Sequence, residues 1–379
     1  MTKEDQYISF VMSRWLAGLF SSAASTVGSG IILDIFFLHQ RGRAFTFYSV
    51  TTLFGALVTP VISGFIVESA SWTIQFWWCV GALGVISILI FLLIEDTTFD
   101  RQNPGVRPPE RSYFANRVAT FLPGNKIVFI SGQTSPWTIF KVAICPPVLI
   151  SGVALLLTFS WVVGLNITLA VFLQTPVHLG GYGFTARQNA EFSFAQWASF
   201  VTAELYGIFL NDRVALWMCN RRGGIWKPEY RLVPLLIPPT VALPVGLILF
   251  GVSLRYQLHY MVLATGLYLS TFADMAIVPI INNYLAECFT DYVMETYTIM
   301  WIFRLTLGVV IPFFISEWLA KTGPALTFGI MAMLSCAGAG LFMLVAWRGS
   351  DMRKHSFQEF IHTEEGMTVV TESPTEDLP

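Results

Sequence analysis

Residues 147–173 read PVLISGVALLLTFSWVVGLNITLAVFL, twenty-seven positions without one charged side chain. About 20 apolar residues are enough for a helix to cross a hydrocarbon core. Inside that core every backbone N–H and C=O must be paired within the protein, so a run this long is a helix rather than a barrel strand. Eight more stretches repeat the pattern, at roughly 8–33, 45–67, 73–94, 188–210, 233–253, 259–285, 295–317 and 325–347, which makes nine spans. Charged residues are only 12 % of the chain and apolar residues 54 %, with a mean hydropathy of +0.62. That charge content is about half the share of a soluble domain. The predicted fold class is an all-α polytopic membrane protein whose first partner is the lipid bilayer.

The same inventory excludes several functions. Cys79, Cys145, Cys219, Cys288 and Cys336 are scattered, without the spacing of a metal site or a disulfide framework. A net charge of −2 argues against a nucleic-acid partner. The sequence has no Gly-x-x-x-x-Gly-Lys-Ser/Thr loop and no His-Glu-x-x-His pair, so neither ATP-driven transport nor zinc hydrolysis is predicted. No enzyme activity, cofactor or metal is expected. Met1–Gln6 carries mixed charge and Tyr7 opens a full-length span, which is not the pattern of a cleavable leader. The glycosylation triplet Asn166-Ile167-Thr168 falls inside a span.

Lysine and arginine placement predicts orientation. The loops after spans one, three, five, seven and nine hold sixteen of them, including Arg41, Arg43, Arg213 and Arg353. The other side has Lys3, Arg187, Arg255 and Lys321. The N-terminus is therefore expected outside and the C-terminus in the cytoplasm. The resulting layout is a three-helix bundle over 1–94, a cytoplasmic loop over 95–146, a six-helix bundle over 147–347 and a polar cytoplasmic tail over 348–379. Gly55 and Pro60, with Phe76 sixteen residues beyond the proline, are echoed by Gly308, Pro312 and Phe328. Those two segments lie six helices apart, as parallel six-helix repeats require.

In span one, Gly18, Ser22, Thr26 and Gly30 recur every fourth residue and offer a face for close helix approach. Arg14 precedes them within the apolar run, where a charge faces a cavity or a partner rather than lipid. Arg14 with Gly18, then Asp34 ahead of Arg41-Gly42-Arg43, resembles the fourth helix of the major facilitator superfamily, in its fungal drug:proton antiporter branch. Thr59-Pro60-Val61-Ile62-Ser63-Gly64 resembles that branch's fifth-helix motif, with two of its glycines replaced. Gly55, Pro60 and Gly64 are the residues expected to bend and pack this helix. Gly181-Tyr182-Gly183-Phe184-Thr185 looks like the outer loop between helices seven and eight. Asn211-Asp212-Arg213 with Arg221-Arg222-Gly223-Gly224 looks like the cytoplasmic loop between helices eight and nine. The resemblance runs over about residues 8–350. It implies a twelve-helix bundle of which about nine helices stand here, with spans one to three equivalent to helices four to six. It also implies a cytoplasmic charge latch using Asp34, Arg41, Arg43, Glu204, Asp212 and Arg213, although positive-inside anchoring alone accounts for at least half of the loop arginines.

Span seven carries the clearest chemistry. Tyr268, Thr271, Asp274, Met275, Val278 and Asn282 recur at helical spacing and form one stripe. An ionisable residue within a membrane helix is a functional candidate by default. Arg304 in span eight lies at similar depth, and two readings stand: an Asp274–Arg304 ion pair holding helices together, or substrate and proton binding by Asp274. Trp161 and Asn166 in span four complete the candidate pathway with Arg14, the tryptophan able to stack on a cationic or aromatic substrate. The expectation is a secondary transporter, proton-coupled through Asp274, moving a small organic or cationic molecule such as a drug or polyamine across the plasma membrane. The alternative is a truncated remnant that cannot transport alone and needs another chain to complete its N-terminal bundle.

Overall fold

The computed structural model describes residues 5–36, 38–71, 73–93, 136–224, 226–289 and 292–354. Its helices are α1 (Asp5–Ile35), α2 (Leu38–Ser69), α3 (Ile74–Leu93), α4 (Pro136–Ile144), α5 (Pro146–Gln174), α6 (Ala186–Phe192), α7 (Phe194–Tyr206), α8 (Asp212–Arg221), α9 (Leu232–Leu235), α10 (Leu243–Tyr256), α11 (Tyr260–Cys288), α12 (Val293–Thr322) and α13 (Pro324–Lys354). Eight helical runs among the described residues are long and apolar enough to cross a membrane. The expected fifth span is not a single helix. It breaks at Ser193, resumes as α7 and passes through a π turn at Gly207–Asn211 before α8. The Ser193 hydroxyl donates to the Asn189 carbonyl at 3.0 Å, a local bond that competes with the helical ladder.

The sixth span starts earlier than its apolar run, in a 3-10 turn at Pro228–Arg231, and carries a π turn at Pro238–Ala242. Pro238 and Pro239 have no N–H to donate, so the ladder must shift around them. α4 is helical where the central loop was expected to continue to residue 146. The rest of that loop and the polar tail beyond residue 354 lie outside the described residues.

The chain forms two compact units, one of residues 1–139 with 184–194 and the other of 140–183 with 195–379. In the first unit α2 packs on α6. A Cβ at Gly64 would stand 2.7 Å from the Ala190 Cβ, so only glycine permits this approach. Pro60 lies inside α2, while Gly55 faces open space. None of the residues of α3 is buried.

In the second unit α5 and α12 meet through glycines. A Cβ at Gly164 would come within 2.6 Å of Ile311, and one at Gly308 within 2.7 Å of Val163. Small residues give membrane helices their close van der Waals contact where no hydrophobic force separates helix from lipid. The same device joins α10 to α11, where Gly246 meets Ser270 and Gly266 meets the Phe250 backbone.

The 175–183 loop docks on the end of α10. Gly180 and Gly183 take φ of 87° and 65°, a region that favours glycine. Their turns aim the Tyr182 hydroxyl at the Ser253 and Leu258 carbonyls, 3.1 and 2.9 Å away. Burial pushes the Tyr182 phenol above its ordinary value. Tyr182→Phe should cost about 1 kcal/mol of stability at neutral pH, the net worth of a hydrogen bond. The unfolded chain ionises its tyrosine first, so stability from this group holds below about pH 10 and falls as pH rises through the folded value. Thermal melts in detergent should therefore show the wild-type advantage shrinking above about pH 10; a gap constant with pH would refute the assignment.

Candidate functional site

Asp274 is the midpoint of α11, fourteen residues from Tyr260 and fourteen from Cys288. Its side chain is 1 % exposed and its Oδ1 has no hydrogen-bond partner among the described residues. Thr271, one turn earlier, is also buried with its hydroxyl unpartnered, and so is the Asn282 amide oxygen two turns later. Between them Pro279 sits inside the helix and leaves the Met275 carbonyl without its usual donor. An unmet buried polar atom costs about 1–3 kcal/mol. A run of them on one stripe is therefore not expected from packing alone.

Arg304 lies on the neighbouring helix. Counted from the connection that joins α11 to α12, Asp274 is fourteen residues in and Arg304 eleven. At about 1.5 Å per residue the two stand about 5 Å apart in level. Arg304 is 4 % exposed and its guanidinium lies over the Trp301 ring at 3.6 Å and the Phe159 ring at 4.8 Å. The Ser160 hydroxyl donates to the Arg304 carbonyl at 2.9 Å and fixes the backbone there. Asp274 and Arg304 are within electrostatic reach, but no direct ion pair joins them among the described residues. The Arg304 Nε has no hydrogen-bond partner there either.

The other expected residues divide into committed and open ones. Asn166 donates to the Val162 carbonyl at 3.0 Å and accepts from the Gln196 amide, so it ties α5 to α7. The Tyr268 hydroxyl donates to Thr202 at 2.8 Å and ties α11 to α7. Trp161 stays open: it is buried on α5, its Nε1 is unpartnered, and its ring lies 6.4 Å from that of Trp318. Arg14 belongs to the other unit, where its guanidinium is exposed and lies 4.3 Å over the Phe76 ring.

No contact of the expected latch is seen among the described residues. The side chains of Asp34, Arg41, Arg43 and Asp212 lie outside the described residues. Glu204 is half-buried with Oε2 unpartnered, and Arg213 lies over Phe209 at 5.4 Å rather than against it. Sequence reading instead missed a charge network at the end of the second unit where the 228–231 turn meets the last turns of α11 and α13. Arg353 pairs with Glu229 at 2.8 Å and Arg231 with Glu287 at 2.5 Å, all four side chains at most 19 % exposed. The Trp226 indole donates to Glu287 at 3.4 Å, and Gly349 leaves room for the Tyr284 hydroxyl. Arg231 and Arg353 read in the sequence only as positive-inside anchors, because their acidic partners are 56 and 124 positions away. The aromatic seat of Arg304 was legible in principle: Trp301 precedes it by one helical turn.

Comparison with known proteins gives these helices their context. The sequence pattern of the Major Facilitator Superfamily matches residues 4–311. The chain is 25 % identical over 347 residues to the efflux pump radE of Floropilus chiversii, covering 90 % of this chain and 63 % of that one. It is 24 % identical to the MFS-type transporter oryF of Aspergillus oryzae, over 90 % of this chain and 70 % of the relative. It is 23 % identical to the probable efflux pump mfs2 of Aspergillus flavus, over 90 % and 80 %. The chain thus spans about two thirds of the length of the first two of these relatives.

The buried charge network makes a stability prediction. Arg353→Met alone leaves the Glu229 carboxylate buried without a counter-ion, which should cost about 3–5 kcal/mol. The double change Arg353→Met with Glu229→Leu should recover most of that loss, because an apolar pair needs no desolvation of charge. Thermal unfolding in detergent measures both, and a double variant no more stable than the single one would contradict the pairing.

Proposed function

The chain belongs to the Major Facilitator Superfamily, and we propose that it serves proton-coupled secondary transport of a small organic molecule across the plasma membrane. The observation that carries this reading is Asp274, a carboxyl group at the midpoint of a membrane-length helix with an unpartnered oxygen. An ionisable group kept at that depth marks a proton or substrate pathway more often than a packing site. In such a place a carboxyl group holds a proton in one access state and releases it in the other. Trp161, Thr271, Asn282 and Arg304, buried on the neighbouring faces of α5, α11 and α12, are the proposed lining. Asn166 and Tyr268 brace the helices that carry it. Two of the relatives are named efflux pump and probable efflux pump. The lysine and arginine distribution favours a cytoplasmic C-terminus.

A second reading has these residues carrying substrate only when further helices complete the first unit. It is supported by α3, which buries nothing among the described residues, and by an arginine left exposed on α1. Both readings are tested by reconstituting the chain in liposomes, with and without three added upstream helices, and following drug and polyamine flux under an imposed pH gradient. The expected outcome is gradient-driven flux that Asp274→Asn reduces at least about tenfold, while exchange without net proton movement persists, since only the proton step has lost its group. Full gradient-driven flux in Asp274→Asn would sink the proton assignment. Flux present only with the added helices would select the second reading.

A further inference from the structure

Among the described residues, Arg304 is the one buried arginine of the second unit with no carboxylate at contact distance. The other buried arginines there, Arg231 and Arg353, each have a carboxylate within 2.8 Å. Arg304 has ring faces instead, Trp301 at 3.6 Å and Phe159 at 4.8 Å. Stacking uses the flat faces of a guanidinium and leaves its N–H donors, which lie in the plane, pointing outward. That edge matches a planar oxyanion, which can accept two parallel hydrogen bonds. The Nε on that edge has no hydrogen-bond partner among the described residues, in a side chain 4 % exposed. A donor buried in this way costs free energy until something fills it.

We propose that Arg304 is the seat for a carboxylate or phenolate of the transported molecule, so that the substrate class is an aromatic organic acid rather than a cation. The proposal rests on the transport reading above. The aromatic part follows from the surroundings: Phe159 and Trp301 flank the guanidinium, and Trp161, next to Phe159 but one in sequence, presents an unpartnered Nε1 near Trp318. An aromatic acid would replace the missing acceptor at Arg304 while its ring covers these apolar faces.

The seat also sets the sign of proton coupling. The ionisable groups in electrostatic reach of Arg304 are Asp274 from α11 and Tyr297 from its own helix. α5 contributes none, and α13 brings only Cys336 before its charged last turns. With the seat empty, the Asp274 carboxylate is the negative charge in reach of Arg304 among the described residues. An incoming acid takes over that role and sets one negative charge near Asp274, which then favours holding a proton from solvent. Bound acid and bound proton therefore favour each other, and by linkage each raises the affinity for the other. A cationic substrate would do the opposite and displace the proton.

Equilibrium binding to the purified full chain in detergent tests this without any flux. The probes are benzoate, benzamide and benzamidine, which share one ring and differ in charge. Calorimetric titration should rank benzoate above benzamide and benzamidine by roughly tenfold or more, the scale of one charge-assisted pair. In weak buffer, benzoate binding should take up about one proton per site. Arg304→Gln should lose the preference, and Arg304→Lys should restore part of it without the bidentate geometry. Asp274→Asn should keep benzoate binding and lose the proton uptake. Benzamidine binding as well as benzoate, benzoate binding indifferent to Arg304→Gln and Arg304→Lys, or no binding of any probe into the millimolar range would overturn the proposal. The ranking found in a protein that shows no flux with or without the added helices would leave the acid seat standing and remove the transport reading.

Discussion

A guanidinium can stay in a membrane only if the protein replaces the water it has lost, and the seam between α5 and α12 is built around that requirement. Gly164 and Gly308 bring the two helices close enough for Val163 and Ile311 to fill the space between them. The same closeness lays Phe159 over Arg304 and lets Ser160 bond its carbonyl. Cation–π contact with a desolvated cation is worth about 2 kcal/mol. That is less than the several kcal/mol an ion loses on burial. The rings therefore retain the charge without satisfying it, and the remainder falls to Asp274 or to a ligand. Close helix packing, an aromatic seat and an electrostatically coupled carboxyl group are thus one arrangement.

The contrast with the Glu229–Arg353 and Arg231–Glu287 pairs separates two uses of buried charge. Those pairs are in contact and join three chain segments at one end of the second unit. For such a pair, exchange of both charges for apolar groups costs little, because each charge is answered by the other. Asp274 and Arg304 face each other at a distance, each with a donor or acceptor unpartnered. Replacing that pair by apolar groups would leave Thr271 and Asn282 still unmet on the same stripe.

The class of fold was legible because hydrocarbon imposes the same demand on every span, and residues 147–173 meet it without exception. The helix over 260–288 and the central position of Asp274 were legible for the same reason. The breaks in the fifth span were not. They arise where Ser193 and the residues of the 207–211 turn find local hydrogen-bond patterns that apolar content does not record. The charge network was hidden by sequence distance. Its members come together only because helices of equal length return the chain to the same end of the bundle.

Polar residues on a membrane helix look alike in a sequence, yet their partners sort them. Asn166 and Asp274 were both candidates for the pathway, but Asn166 spends both ends of its amide on Val162 and Gln196. Tyr268 does likewise with Thr202. A committed group fixes the distance between two helices; it cannot also bind cargo without releasing them. Among the expected pathway residues and their neighbour Arg304, those left open are Trp161, Thr271, Asp274, Asn282 and Arg304, and they sit on three helices, α5, α11 and α12, that pack on one another. A rocking motion that moved α7 against α11 would have to break the Tyr268–Thr202 bond, whereas motion of the unit as a body would leave it intact. The committed groups therefore hold α5, α7 and α11 at fixed spacings within the unit.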